Sequence, residues 1–440
     1  MQSVADRKLL NRDLWVVFFI YVSVFINSLV FFQSPFEFYL GYLIYLLLLP
    51  VFMARYGFQR PLFFIFLLLA FSGLFHVFQG NNTPQQFFKI LFGLSLSYFF
   101  YQYVIQEFNY NCEQLFKWYL KGAFIVSLIG LVQFISFQVE FRAGYDYSWL
   151  FNKWGVIVGG MFGIRVNSVF GEPTHLGAVV SAAFFVSVYN LLIKETFYLS
   201  KFQSSIIIVV YILSFSGLGQ VGIFLTLILL AINFGLVRYL LIFIPIGILL
   251  FTYMHDNVPE FRDRFDSLIG LFSGGKFELG KTHGSSFILY NNFVVATENF
   301  KENFMFGTGL GSHPTAFAKY TTAAHIGVYG FNLNSADANS MLLRLISETG
   351  LFGTGIMLFI LFKFYVPRDI GNTSNHWLIS NGILIMILLN LFRQGHYFLN
   401  GFPFFVLLYI YNYYSYHTPP DQKIESSAEV KDPQKAIESR

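Results

Sequence analysis

One cysteine in 440 residues, Cys112, excludes an intramolecular disulfide, so exposed segments must hold their shape by other means. Charge is just as scarce. Asp, Glu, Lys and Arg make up 12% of the chain, about half the ~25% typical of a soluble globular protein. A chain of this length could not coat a water-facing surface with so little. No basic run and no aromatic platform is present, and a net charge of +4 implies no nucleic-acid partner. Histidines 283, 313 and 325 follow no zinc spacing and have no cysteine beside them. No small-residue cleavage pattern follows the apolar block after Asp13, which therefore reads as a retained anchor.

What the chain does have is apolar surface: 55% hydrophobic residues, with 58 Phe and 27 Tyr. These residues fall in blocks long enough to cross a bilayer, which takes roughly 20 residues of helix. Twelve blocks are expected to span, near 14–32, 36–54, 61–78, 87–105, 115–137, 174–193, 203–218, 219–236, 239–254, 340–362, 377–392 and 399–416. The pair meeting at Gly217-Leu218-Gly219 is tight enough to be re-entrant. The expected fold class is an all-α polytopic membrane protein, one domain over 1–416. A polar tail at 417–440 is expected to be disordered and cytoplasmic.

Lys and Arg set the orientation. With the N terminus inside, Arg7, Lys8, Arg12, Arg55, Arg60, Lys194, Lys201, Arg238, Lys363 and Arg368 all fall in the cytoplasm. The loop 79–86 then lies outside and carries no charge, as the positive-inside rule requires. Both termini are cytoplasmic in this arrangement. Two long segments, 138–173 and 255–339, land outside, and loops on a rigid scaffold are where chemistry concentrates.

The first of them ends in RVNSVFGEPTHLG, residues 165–177, which crowds Arg165, Glu172 and His175 at a helix mouth. Pro173 suits a first helical turn, where its missing N–H costs nothing. Glu172 would then meet the positive end of the helix dipole, a structural role worth roughly 0.3–1 kcal/mol. Against that plain reading, Glu is a mediocre cap. An arginine also offers a planar fork suited to phosphate, and a carboxylate beside it could take a proton from a hydroxyl. His175, one step inside the helix, reads as a packing or hydrogen-bonding residue.

The second long segment holds Arg262 and Arg264 in EFRDRFD, either a charge-balanced surface helix or, through Arg264, a second anion contact. His313 follows the glycine run 307–311, which lacks a preceding strand and suits tight turns or a backbone N–H nest. Arg344 and Glu348 stand at i and i+4, most simply an intrahelical pair, with direct substrate contact by Arg344 as the alternative. Arg393, Gln394 and His396 extend the polar mouth. Tyr145, Tyr147, Trp149 and Trp154 suit an interfacial belt.

Four stretches, in order, resemble a known family. RVNSVFGEPTHLG looks like the Arg…Glu-Pro-Ser/Thr signature of bacterial O-antigen polymerases (Wzy-type) and related exopolysaccharide polymerases. LSFSG at 213–217 is similar to their serine-rich segment, NFMFGTGLG at 303–311 to a glycine-rich stretch, and NSMLLRLISETGLFG at 339–353 to a later helix. The resemblance covers about residues 165–355. Ala338 stands where the broader superfamily, O-antigen ligases included, often has His, and Phe215 where an arginine is common.

The resemblance implies a GT-C-like membrane glycosyltransferase of the bacterial inner membrane, with its site on the outer face. Its donor and acceptor would be undecaprenyl-diphosphate-linked oligosaccharides, with a flippase and a chain-length regulator as possible companions. No cofactor or metal is expected, because the lipid diphosphate is already activated. Arg165 would bind the diphosphate, and Glu172 would be the general base or orient Arg165. Arg264 would be a second basic contact. Asp337 and Asn339 would position sugars, with Asn167, His313 and Arg344 as further substrate contacts. The missing histidine at 338 argues against ligase. A ligase or O-oligosaccharyltransferase remains the nearest rival, and a flippase or other transporter the rival from another class.

Overall fold

The computed structural model describes residues 4–32, 37–193, 196–275, 277–278, 282–323, 333–369 and 374–418. The polar tail beyond 418, His325 and Lys194 lie outside the described residues, as do the side chains of Arg7, Lys8, Arg12 and Arg238.

Helix dominates. In chain order the helices are α1 (Val4–Phe25), α2 (Leu40–Tyr56), α3 (Arg60–Phe78), α4 (Pro84–Glu107), α5 (Cys112–Gln138) and the single turn α6 (Arg142–Tyr145). There follow α7 (Pro173–Val179), α8 (Ser181–Leu192), α9 (Lys201–Leu213), α10 (Gly217–Asn233), α11 (Val237–Asn257) and α12 (Pro259–Phe272). The last are α13 (Gly284–Glu302), α14 (His313–Tyr320), α15 (Met341–Lys363), α16 (His376–Arg393) and α17 (Phe402–His417). A short antiparallel pair, β1 (Val30–Phe32) with β2 (Phe38–Tyr39), links α1 to α2.

Each of the twelve expected blocks overlaps a helix, although 14–32 also takes in β1 and 36–54 β2, and among the described residues only α3, α4, α5, α15 and α16 are long and apolar enough to cross a membrane alone. A sixth span is possible if α7 and α8, bent by 59° at their junction, count as one. The described parts of α1, α2, α9 and α10 are apolar but shorter. A 17-residue helix such as α2 reaches about 25 Å, short of a ~30 Å hydrocarbon core. The expected turn at 217–219 forms slightly earlier. Ser214 ends α9, Phe215 turns the chain at φ 43°, and the Ser216 side chain caps α10 by accepting from the Gly219 N–H.

Local chemistry starts the helices. Thr83 caps α4 ahead of Pro84, Asn111 caps α5 beside the buried thiol of Cys112, and Ser200 with Gln203 forms a capping box on α9. Packing then sorts them. The apolar window of α16 is 78% buried, against 17% for α3. So α16 is a central post, packed on α8, α10, α15 and α17. By contrast α3 turns Phe64, Leu68, Phe71 and Phe75 outward, as a lipid-facing helix does. Within 255–339, α13 packs on α12, α14 and α15, and α14 packs on α15.

Candidate functional site

The chain from 154 to 172 is irregular but pinned. The Arg165 N–H donates to the Ile157 carbonyl at 2.9 Å, and the Val166 N–H donates to the Leu213 carbonyl at 3.1 Å. Gln133, buried on α5, accepts from the N–H groups of Asn167 and Ser168 and donates to Asn167 Oδ1 at 2.8 Å. Asn167 spends its own NH2 on the carbonyls of Gly155 and Phe170. It is fully buried and acts here as an internal brace. The result is a rigid mount for Arg165, whose aliphatic stem lies under the backbone of Gly159.

Glu172 is the N-terminal cap residue of α7, but its carboxylate does not cap the helix. Arg393, at the end of α16, lies within electrostatic reach of Arg264, Glu172 and Arg165. Arg264 comes from α12, where its Nη1 lies over the first turn of α10, 3.7 Å from where a side chain at Gly217 would begin. Four elements far apart in sequence thus bring Arg165, Glu172 and Arg264 within electrostatic reach of Arg393. Phe215 packs its ring on Gly160 and Phe162 and shapes the same loop.

A second polar lobe adjoins the first. His396 Nε2 lies 3.2 Å from Asp337 Oδ2, while Asp337 Oδ1 accepts from the Asn339 N–H at 3.1 Å. Burial pushes the His396 imidazole downward, against the upward pull of Asp337. Lys153 pairs with both oxygens of Glu37 at 2.7 Å, and Lys89 lies within reach of Glu37, Lys153, Asp337 and Arg344. His175 feels Glu172 from one lobe and Lys153 and Asp337 from the other. His175 therefore lies between the two.

Behind these lobes sits a buried frame. Arg344 and Glu348 form the expected i, i+4 pair, Nε to Oε1 at 2.8 Å, both sealed from solvent. The glycine run does form a nest, and its occupant is Glu348: Gly311 N–H donates to Oε2 at 2.8 Å and His313 N–H to Oε1 at 3.4 Å. His313 itself is buried, with Nε2 on Asn292 Oδ1 at 2.9 Å. Burial and Arg344 depress its pKa to about 3, so it is a neutral pin inside the frame. In this conformation His313, Asn167 and Arg344 support the site from behind and do not line it. Among the described residues no three His, Cys, Asp or Glu side chains are placed to share a metal ion.

Arg165, Glu172, Arg264 and Asp337 are thus brought to one region, and Asn339 braces Asp337 through its backbone. Glu37, Lys89 and Lys153 carry no sequence signal, each being a lone charge beside an apolar block. Together the fold and the site define the class: an α-helical protein with membrane-crossing helices and a cluster of charge at one end of the bundle. No protein-family model matches the chain, and no curated protein matches its sequence.

Proposed function

We propose that the protein is a polysaccharide polymerase of the bacterial inner membrane. It would transfer a growing glycan from polyprenyl diphosphate to a sugar hydroxyl of the next lipid-linked repeat unit, at the outer face. One observation carries the reading: Arg165, Arg264 and Glu172, from a loop, α12 and the start of α7, all lie within electrostatic reach of Arg393 on α16. Three planar donor forks gathered at one end of an apolar bundle suit an anion. A lipid-linked diphosphate fits that arrangement, with its headgroup on the guanidinium groups and its tail among lipid-facing helices. The arginines stabilise the charge that builds on the departing diphosphate. Glu172 orients them or takes the acceptor proton. The pairs Asp337–His396 and Glu37–Lys153 supply hydrogen-bonding groups for sugars in the adjoining lobe.

The test is purified protein in liposomes with a synthetic polyprenyl-diphosphate oligosaccharide. A ladder of products differing by one repeat is expected. Transfer only to a lipid A core or a protein acceptor would make it a ligase. Translocation without new glycosidic bonds would make it a transporter.

A further inference from the structure

The polar lobe around His396 contains more order than sugar binding needs. Asp337 is held through Oδ1 by the Asn339 N–H at 3.1 Å and the Asn334 NH2 at 3.4 Å, leaving Oδ2 for His396 at 3.2 Å. A neutral imidazole facing a carboxylate must donate, so Nε2 carries the proton and Nδ1 keeps the lone pair. The ring is a third open to solvent, while Asp337 is largely covered.

The turn carrying His396 is fixed from both sides. Arg344 Nη1 donates to the Gly395 carbonyl at 2.7 Å, and Tyr397 Oη donates to Glu348 Oε2 at 3.0 Å. The guanidinium also stacks on the Tyr397 ring, 4.5 Å from its centre. Gly395 has no room for a side chain, because a Cβ there would lie 1.9 Å from the Asp337 carbonyl oxygen. The buried Arg344–Glu348 pair therefore serves as the mount for the 395–397 turn.

We propose that His396, oriented by Asp337, is the general base of the transfer reaction, with Arg344 and Glu348 as positioning residues and Glu172 confined to orienting the arginines. This rests on the polymerase reading. The acceptor hydroxyl gives its proton to Nδ1 of His396, and its oxygen bonds to the anomeric carbon of the donor glycan. The bond from that carbon to the diphosphate oxygen breaks, and the lipid diphosphate leaves with the electron pair. The imidazolium then loses its proton to water. Position favours His396 over Glu172: the carboxylate lies within reach of Arg393 in the arginine lobe, while the dyad lies in the adjoining one. The groups facing His396 are Asp337, Arg344, His175 and Lys153. Burial outweighs the carboxylate and keeps the ring neutral at neutral pH, the form a base requires.

The test uses the full-length protein in liposomes, the same synthetic lipid-linked oligosaccharide, and separate measurement of donor binding and turnover. Wild-type protein must first make glycosidic bonds; if it makes none, the polymerase reading fails before the base is in question. Given activity, His396→Gln should lower kcat by about 100-fold or more while donor binding is retained. Asp337→Asn should do likewise by reversing the tautomer. Glu172→Gln should weaken donor binding. Either dyad variant turning over at the wild-type rate overturns the proposal. If His396→Gln loses donor binding as well, Asp337→Asn, which keeps the imidazole, decides.

Discussion

The carboxylate of Glu348 accepts the Gly311 N–H at 2.8 Å across 37 residues of chain. That bond ties the glycine-rich stretch after α13 to α15, and the same carboxylate holds Arg344 and Tyr397. A buried charge without partners is costly, so each of these groups secures the others.

Removing one member should therefore be severe. Glu348→Ala leaves the Arg344 guanidinium buried and uncompensated, and should cost about 3–5 kcal/mol. Replacing both residues by Met should cost less than Glu348→Ala alone, because no stranded charge remains. Gly311→Ala should also destabilise, since φ is +84° and the new Cβ would lie 2.7 Å from the Gln86 carbonyl oxygen. Thermal unfolding in detergent reads all three.

At the arginine cluster, Arg165→Ala, Arg264→Ala and Arg393→Ala should each weaken binding of a lipid-linked diphosphate, and Arg165→Ala should abolish chain growth while the protein stays inserted. Lysine should restore little at any of the three, for it lacks the planar fork. Titration with labelled polyprenyl diphosphate in nanodiscs provides the measurement. Unchanged affinity in all three variants would sink the headgroup assignment.

His313 predicts a dependence of stability on pH. Its folded pKa, about 3, lies below the ~6.5 of an unfolded histidine. Between those values the unfolded chain binds a proton that the folded chain refuses, so acid favours unfolding. The contribution is fully present above about pH 6.5 and is lost as pH falls toward 3, with a slope near 1.4 kcal/mol per pH unit. His313→Gln, which can still donate to Asn292, should flatten that part of the profile in detergent unfolding experiments.

The orientation is testable by labelling. Cys112 is buried, so cysteines introduced into the natural chain report cleanly. Gln79→Cys should react with an impermeant maleimide added outside intact cells, and Lys201→Cys only after the membrane is opened. The reverse pattern would put the arginine cluster on the cytoplasmic face and end the polymerase reading.

Much of the fold was legible because it is repetitive. Apolar blocks give the helices, and the i, i+4 spacing of Arg344 and Glu348 gives their pair. The bend between α7 and α8 was not legible, since an unbroken apolar run at 174–193 does not announce one. Asn167 and His313 were read as substrate contacts because a polar residue in a motif invites that reading. Their hydrogen bonds to Gln133, Gly155, Phe170 and Asn292 turn them inward.

By itself the sequence determined that this chain must fold as helices rich enough in apolar surface to enter a membrane, because its scarce charge permits little else. It also marked Arg165 and Glu172 as misfits at a helix mouth. Only the tertiary structure decided which distant charges meet them. Arg393 reaches Glu172, Arg165 and Arg264, and His396 reaches Asp337, through the packing of α7, α12 and α16. Local sequence fixes where a helix begins and which face is apolar, but side chains hundreds of residues apart are brought together only by how those faces close.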